Sequence, residues 1–424
     1  MTKAMEGSRM KLEKYSFGHG DRFGYQGKAQ LQAIIKARQA GIDIAPVWNK
    51  SHREHKTIGS RPGDVRVEAD AAVQELEWDR PYYVDADHIG LNNVDLFSDW
   101  SDFFTLDVAD FIGQRAPDED LKAFVGMHSD LADTLTIEGI ADSFEISANQ
   151  IEEIAAKFLL AVKEAGRIYR HIETVRGKDT FITEVSMDET DSPQSPVEML
   201  FILAAIADEG IPAQTIAPKF TGRFNKGVDY VGDVAQFAKE FEQDIAVIKY
   251  ATKNFGLPEN LKLSVHSGSD KFSIYPAIKN AIRKFDAGVH IKTAGTTWLE
   301  ELIGLAEAGG EGLVIAKKVY ARALERFDEL CAPYATVIDI NKDKLPGIVE
   351  VGNWDGPQFA AALRHDQSCD QYNVNFRQLL HVGYKVAAEM GDEYSNALEK
   401  YEDVIAQNVT ENIFERHIKP IFIG

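Results

Sequence analysis

The chain has 424 residues, of which 44% are hydrophobic and 27% charged, values typical of a globular protein with an ample core. Its formal net charge of −21 makes nucleic acids and anionic membrane surfaces poor partners. Cys331 and Cys369 lie too far apart in sequence to indicate a disulfide framework. The N-terminal stretch lacks the apolar core of a signal peptide, and no apolar run is long enough for a transmembrane helix. We therefore expect a cytoplasmic protein.

Short β-rich runs alternate with longer helical patterns as far as roughly residue 300. The candidate strands are Lys14–Phe17, Asp43–Trp48, Tyr82–Asp87, Phe103–Leu106, Thr180–Val185, Ala213–Pro218, Leu261–His266 and Val289–Lys292. The helices between them include Gly27–Ala40, Asp70–Glu77, Pro196–Glu209, Asp233–Asn254 and Tyr275–Phe285. Eight strands in this alternation predict an α/β protein with a closed (β/α)8 TIM-type barrel over residues 1–300.

Two regions depart from the simple alternation. Apolar residues at helical spacing between Ile151 and Leu160 predict a mostly helical insertion in the barrel, at about residues 116–178. Beyond residue 300 the pattern is helical, with candidate helices Glu311–Ala332, Phe359–Leu363 and Phe376–Met390. We expect residues 301–424 to form a helical C-terminal extension packed on the barrel.

The end of the third strand carries the strongest chemical signal. Side chains alternate along a strand, so Asp85 and Asp87 share one face, and His88 stands at the strand's end. In a β/α barrel the chemistry takes place where strands end, and two carboxylates with an imidazole there can hold a divalent cation and move a proton. A turn or a helix N-cap is the structural alternative for either aspartate.

Three later strands add further candidates. Glu184 lies in an apolar run, where a carboxylate is costly unless it is paired or ligated, and Asp188 follows at a position that also suits the start of a loop. His266 ends the seventh strand and precedes a small-residue loop whose backbone N–H groups could hold an anion. His290 and Lys292 share a face of the eighth strand. His290 is a third imidazole that could bind a metal. Lys292 could neutralise an anionic substrate or, alternatively, form a Schiff base.

Other signals are weaker. The glycine-rich segment from Gly18 to Gly24 lacks the G-x-G-x-x-G spacing, so it does not indicate a dinucleotide site. His365 and His381 lie in the helical tail, where surface or core positions are the simpler interpretation.

Two families share motifs with this chain. Asp87-His88, together with His266 and its Ser-Gly-Ser loop, resembles the metal-dependent class II aldolases, in which an Asp-His pair supplies an acid/base and a zinc ligand. In those aldolases a His-Gly-Gly-Ser-type loop supplies a further ligand and an anion cradle. The loop from His266 to Ser269 departs from that pattern.

A wider resemblance is to the tagaturonate epimerase family. The segments that carry it are Ser16–Gly24, Tyr83–Leu91, Ala217–Gly222, His266–Lys271 and Phe376–Lys385. The resemblance implies interconversion of tagaturonate and fructuronate in bacterial hexuronate breakdown, with a divalent metal. The carbon that is inverted lies β to the ketone, so enolisation does not make its own C–H acidic. Retro-aldol cleavage and re-addition would invert it, with a metal to stabilise the enediolate.

The resemblance and the strand positions together suggest a role for each candidate. Asp87 is the expected base and Glu184 the expected acid. The expected ligands for Zn²⁺, Mn²⁺ or Ni²⁺ are His88, His266 and His290. The candidates to bind the substrate carboxylate are Arg22, Lys219, Lys271 and Lys292.

Three alternatives stay open at this point. They are a class II-type aldolase that releases its fragments, a Schiff-base enzyme that uses Lys292, and a non-catalytic barrel that binds sugar acids. A homo-oligomer is compatible with each of them.

Overall fold

The computed structural model describes residues 9–190, 192–293 and 296–423. Eight parallel strands close into a barrel in the spatial order β1-β8-β7-β6-β5-β4-β3-β2. The strands are Tyr15–Gly20 (β1), Ala45–Ser51 (β2), Tyr83–Ile89 (β3), Phe103–Asp107 (β4), Ile182–Ser186 (β5), Thr215–Ala217 (β6), Lys262–His266 (β7) and Val289–Lys292 (β8). The predicted TIM-type barrel is confirmed. All eight candidate strands overlap strands of the barrel.

Helices follow the strands and continue through the tail. They are Gly27–Gln39 (α1), His52–Ile58 (α2), Pro62–Glu75 (α3), Asp118–Met127 (α4), Ala148–Arg176 (α5), Pro196–Asp208 (α6), Val234–Phe255 (α7), Tyr275–Lys284 (α8), Thr296–Ala308 (α9), Gly310–Glu325 (α10), Phe327–Cys331 (α11), Ile348–Gly352 (α12), Gly356–Leu363 (α13), Val374–Val382 (α14), Tyr384–Met390 (α15), Asp392–Lys400 (α16) and Glu402–Glu411 (α17). A final helical segment, Asn412–Ile423, ends the described chain. None of the described helices combines the length and the apolar character needed to cross a membrane.

The first strand runs further than its sequence predicts. Gly18 and Gly20 pair with Val47 and Asn49 of β2, so the glycine-rich segment begins inside the barrel wall instead of in a loop. A Cβ at Gly18 would lie 2.9 Å from Asn49 Nδ2, which explains why glycine stands at this point of close approach.

The third strand is irregular where its polar residues lie. It continues through His88, whose φ of 54° is a left-handed conformation rare outside glycine, and its register with β4 shifts between Ala86 and Ile89. Such a bulge redirects side chains at a strand end, and here it turns consecutive polar groups towards the barrel mouth.

The other differences between the predicted and the observed helices lie where helices begin or are interrupted. The sequence interpretation missed α2, which Ser51 and Glu54 begin with a capping box. Helix α3 starts at Pro62, well before the predicted Asp70, because proline suits the first helical position. The predicted tail helix Phe376–Met390 is two helices that meet at Gly383.

The regions outside the simple alternation pack closely against the barrel helices. Between β4 and β5, the long helix α5 packs against α4 and α6, and a short antiparallel hairpin joins Thr134–Leu135 to Phe144–Glu145. In the tail, α9 packs against α10, α13 and α17, and α17 also packs against α1. The division into a barrel with an insertion and a separate extension stays a prediction.

Candidate active site

A cavity of about 560 Å³ opens at the carboxyl ends of the barrel strands. Its wall includes Asp87 and His88 from β3, His266 from β7 and Lys292 from β8, so strands that are distant in sequence meet here. Tyr334 and His381 of the helical tail also line the cavity. The tail therefore forms part of the wall of the site. The volume suits a small polar metabolite.

Two imidazoles and a carboxylate converge in this cavity. His88 Nε2 lies 3.4 Å from Asp188 Oδ1, and His266 Nδ1 lies 3.2 Å from Asp188 Oδ2. One possible ligand atom from each of the three residues lies within 4.8 Å of the others. Asp188, for which the sequence favoured the start of a loop, is thus the centre of the cluster.

The same groups fit a divalent cation. His266 Nδ1 is buried and lies 3.2 Å from Asp188 Oδ2, but no contact among the described residues meets hydrogen-bond geometry, so this nitrogen could act as a metal ligand within the cluster. The other ring nitrogen of each histidine is held by a carboxylate, His88 Nδ1 by Asp87 and His266 Nε2 by Glu184, both at 2.7 Å. Carboxylates that orient metal-bound histidines in this way are a common feature of metal sites.

The carboxylates strongly perturb both imidazoles in this arrangement. Burial opposes the charge of His88, but Asp87 and Asp188 outweigh it and raise its pKa well above the usual value. Burial likewise opposes the charge of His266, while Asp188 and Glu184 raise its pKa to about 9. The cluster is thus rich in negative charge and attracts positive charge, whether protons or a metal ion.

Lys292 lies between three buried carboxylates. Its Nζ is 2.7 Å from Asp85, 2.6 Å from Asp87 and 3.6 Å from Glu184, and it donates a hydrogen bond of 2.9 Å to Thr105 Oγ1. Burial disfavours the ammonium, but the carboxylates raise the pKa of Lys292 well above its usual value. A lysine held protonated in this way is a poor nucleophile, which argues against the Schiff-base alternative.

The carboxylates around Lys292 are not equivalent. Burial opposes the charge on both Asp87 and Glu184, yet their cationic neighbours hold the pKa of each well below its usual value. For Asp85 burial dominates and raises the pKa to about 6. An ionised Glu184 has no proton to donate. The contact with His266 Nε2 gives Glu184 a role in orienting that imidazole, and the acid role expected for Glu184 stays a prediction.

The structure does not bring His290 into the cluster. It lies two residues before Lys292 on the inward face of β8 and hence one layer deeper in the barrel, where its Nδ1 is 2.9 Å from Ser16 Oγ. Burial lowers its pKa to about 3. A position at the strand's end, as for His88 and His266, is what allows an imidazole to reach the mouth.

The predicted cations also occupy different environments. Arg22 lines the cavity, but its Nε lies 3.2 Å from a carboxylate oxygen of Glu54. The ammonium of Lys271 is fully buried and donates to backbone carbonyls within residues 225–228, so it holds a loop and is absent from the cavity wall. Lys219 lines an adjoining cavity of about 410 Å³.

The loop after His266 has fewer backbone donors available for an anion than its sequence suggests. The N–H groups of Ser267 and Gly268 donate to the carbonyl of Lys292 at 3.0 and 3.3 Å, and the N–H of Lys271 donates to the Tyr275 hydroxyl at 3.2 Å. These donors are already used in holding the loop against β8 and α8.

The same loop is bound to the helical tail through one buried carboxylate. Asp270 accepts from Arg377 Nη2 at 2.8 Å and contacts His365 Nδ1 at 3.0 Å and His417 Nε2 at 3.1 Å, and all four side chains are fully buried. Burial opposes the charge, but Arg377 and the histidines hold the pKa of Asp270 well below its usual value. His365 is therefore a core group, whereas His381 lies on the cavity wall.

A β/α barrel with an imidazole–carboxylate cluster at the carboxyl ends of its strands is the architecture of a barrel enzyme. The family model for UxaE, the tagaturonate epimerases, matches residues 2–421. The chain belongs to this family, and the resemblance seen in the sequence is confirmed. The likeness to class II aldolases stays a prediction.

Known relatives agree with this assignment. The tagaturonate/fructuronate epimerase of Thermotoga maritima is 27% identical over 418 residues, which cover 95% of this chain and 80% of the relative. The native crystal structure of the fructuronate-tagaturonate epimerase UxaE from Cohnella laeviribosi shares the fold with a TM-score of 0.79 and 24% identity, covering 97% of this chain and 82% of that one. Its complex with two glycerols has a TM-score of 0.80 and 23% identity, with coverage of 98% and 83%.

Proposed function

We propose that the chain is a divalent-metal-dependent epimerase of the cytoplasm that interconverts tagaturonate and fructuronate by reversible carbon–carbon cleavage. Family membership and the name of the Thermotoga relative support the reaction. The observation that carries the mechanism is the meeting of His88, Asp188 and His266 beside the Asp87–Lys292 pair in one cavity.

The reaction must invert a carbon that lies β to the ketone. The hydroxyl on that carbon loses its proton to a base while the bond between the α and β carbons breaks, and the bonding electrons pass to the ketone fragment as an enediolate. The other fragment is now an aldehyde that can turn and present its opposite face. The enediolate carbon attacks that face, and the new alkoxide takes back the proton.

The residues of the cavity match these steps. Asp87 is ionised and lines the cavity, so it can accept the hydroxyl proton, and Lys292 beside it keeps it ionised until the substrate hydroxyl arrives. The Asp87–Lys292 pair then holds the proton that returns to the new alkoxide. His88, Asp188 and His266 would hold the cation, with Asp87 and Glu184 orienting the imidazoles. A divalent cation there would supply positive charge where negative charge develops on the ketone oxygen.

The test is to assay the chelated protein with tagaturonate and to follow fructuronate by NMR. We expect activity to disappear on exhaustive chelation and to return with Mn²⁺, Zn²⁺ or Ni²⁺. Asp188→Asn should prevent the return, whereas Glu189→Gln, on the same loop but outside the cluster, should not. Full activity after chelation would refute the metal dependence. Free three-carbon products in place of the epimer would favour the aldolase alternative.

A further inference from the structure

The loop between β6 and α7 places a lysine on the wall of the site. The half-buried side chain of Lys226 lines both the main cavity and the adjoining one. A Cβ added at Gly268, two residues after His266, would lie 3.7 Å from Lys226 Nζ, so the ammonium lies over the loop that carries this histidine. Lys226 is therefore close to the metal-binding candidates, although it comes from a different loop.

Lys226 differs from Arg22 and Lys292, the buried cations of the cavity wall, in making no ion pair among the described residues. Within residues 9–190, 192–293 and 296–423 its ammonium makes neither an ion pair nor a hydrogen bond, whereas Lys292 contacts carboxylates and Arg22 pairs with Glu54. Burial lowers the pKa of Lys226, partly opposed by the more distant charge of Glu189. Partial burial of an ammonium without a counter-ion is unfavourable, and a bound anion would offset that cost.

Several donors of the loop that was expected to hold an anion are already used within the protein. The N–H groups of Ser267 and Gly268 are bonded to the carbonyl of Lys292, and the ammonium of Lys271 is bonded to backbone carbonyls. An anion entering the cavity near this loop therefore meets the ammonium of Lys226 as an available donor.

We propose that Lys226 binds the carboxylate of the sugar acid and makes the site selective for an acid over the corresponding neutral ketose. This inference rests on the proposed function. In a hexuronate of this kind, cleavage leaves the carboxylate on the fragment that carries the aldehyde. Lys226 would therefore also hold that fragment in the cavity while its aldehyde group turns.

The test compares tagaturonate with tagatose, which carries a primary alcohol in place of the carboxylate, using the full chain loaded with Mn²⁺. Lys226→Met should lower kcat/KM for tagaturonate by about 10- to 100-fold, the range for a hydrogen bond to a charged group, mainly through KM. The value for tagatose should change little. Lys226→Arg should retain part of the selectivity. The control is Lys56→Met, which removes an exposed charge at the rim of the same cavity and should leave the selectivity unchanged.

The outcomes separate this inference from the proposed function. If Lys226→Met lowers turnover of both sugars equally, or of neither, the carboxylate contact is refuted while the epimerase assignment stands. If the wild type does not turn over tagaturonate, the proposed function fails, and calorimetric binding of tagaturonate to the wild type and to Lys226→Met still decides the role of the lysine. Matching circular-dichroism spectra of the variants would show that each is folded.

Discussion

Replacement of Lys292 by methionine tests the charge network at the centre of the barrel. Methionine keeps most of the shape of the side chain but removes the ammonium that lies 2.7 Å from Asp85 and 2.6 Å from Asp87. These carboxylate side chains are 0% and 9% exposed, so water cannot replace the lost cation. Removing one partner of a buried ion pair costs about 3–5 kcal/mol, and we expect a loss of that size in the free energy of unfolding at pH 8.

The loss should also depend on pH. In the wild type the pKa of Asp87 and of Glu184 is lowered, so each stabilises the fold above its unfolded pKa, and this stability is lost as the pH falls through the folded pKa. In Lys292→Met the buried carboxylates lack the cation, and burial raises their pKa values. Stability is then highest at low pH and falls as the pH rises. The difference in unfolding free energy between the two proteins should therefore be smaller at pH 5 than at pH 8.

Lys262 provides a matched control in the same barrel. It is also buried, but its ammonium donates to the backbone carbonyl of Glu13, and burial lowers its pKa to about 7. Lys262→Met should cost no more than about 1.5 kcal/mol, the net value of one hydrogen bond. The assay is equilibrium urea unfolding followed by tryptophan fluorescence at both pH values. Equal losses in the two variants, or a Lys292→Met loss that does not change with pH, would refute the reasoning.

Three further changes test other parts of the structure. Mn²⁺ added to the chelated protein should raise the melting temperature, and His266→Ala should abolish that rise if the cluster binds the metal. Asp270→Asn leaves the buried guanidinium of Arg377 without its carboxylate and should cost about 3–5 kcal/mol in chemical unfolding, whereas the exposed Asp366→Asn should cost little. His88→Gly should be more stable than His88→Ala by about 1 kcal/mol in the same assay, because φ is 54° there; equal stabilities would contradict this strain.

The sequence was sufficient to predict the barrel and the strand ends that carry polar groups. The alternation of β-rich and helical runs is local information, so the eight strands could be located within a few residues. Asp87, His88 and His266 could be identified because each stands at the end of an apolar strand, where only function or a cap explains a polar side chain. Alternation along β8 placed Lys292 on the inward face, where its ammonium contacts Asp85 of β3 and Glu184 of β5.

Depth along the barrel axis could not be predicted in the same way. His290 and Lys292 share a face, but two residues along a strand move a side chain by one layer, and only the register with the neighbouring strands decides which layer reaches the mouth. Asp188 was equally hard to interpret, because its role depends on imidazoles from two other strands. Lys226 and Tyr334 reach the cavity from a loop and from the tail, and no periodic pattern marks such positions.

A net charge of −21 repels an anionic substrate at long range, and the position of the proposed binding site inside the cavity answers this objection. At physiological ionic strength charges separated by more than about 8 Å are largely screened, so the acidic exterior acts weakly on a ligand inside the cavity. The electrostatic attraction of a ligand inside the cavity depends on which of the nearby charged side chains have a counter-ion. The cation of Lys292 is compensated by carboxylates, whereas that of Lys226 makes no ion pair within the described part of the chain. Attraction of the proposed sugar acid would therefore depend on an uncompensated charge inside the cavity, not on the sign of the whole protein.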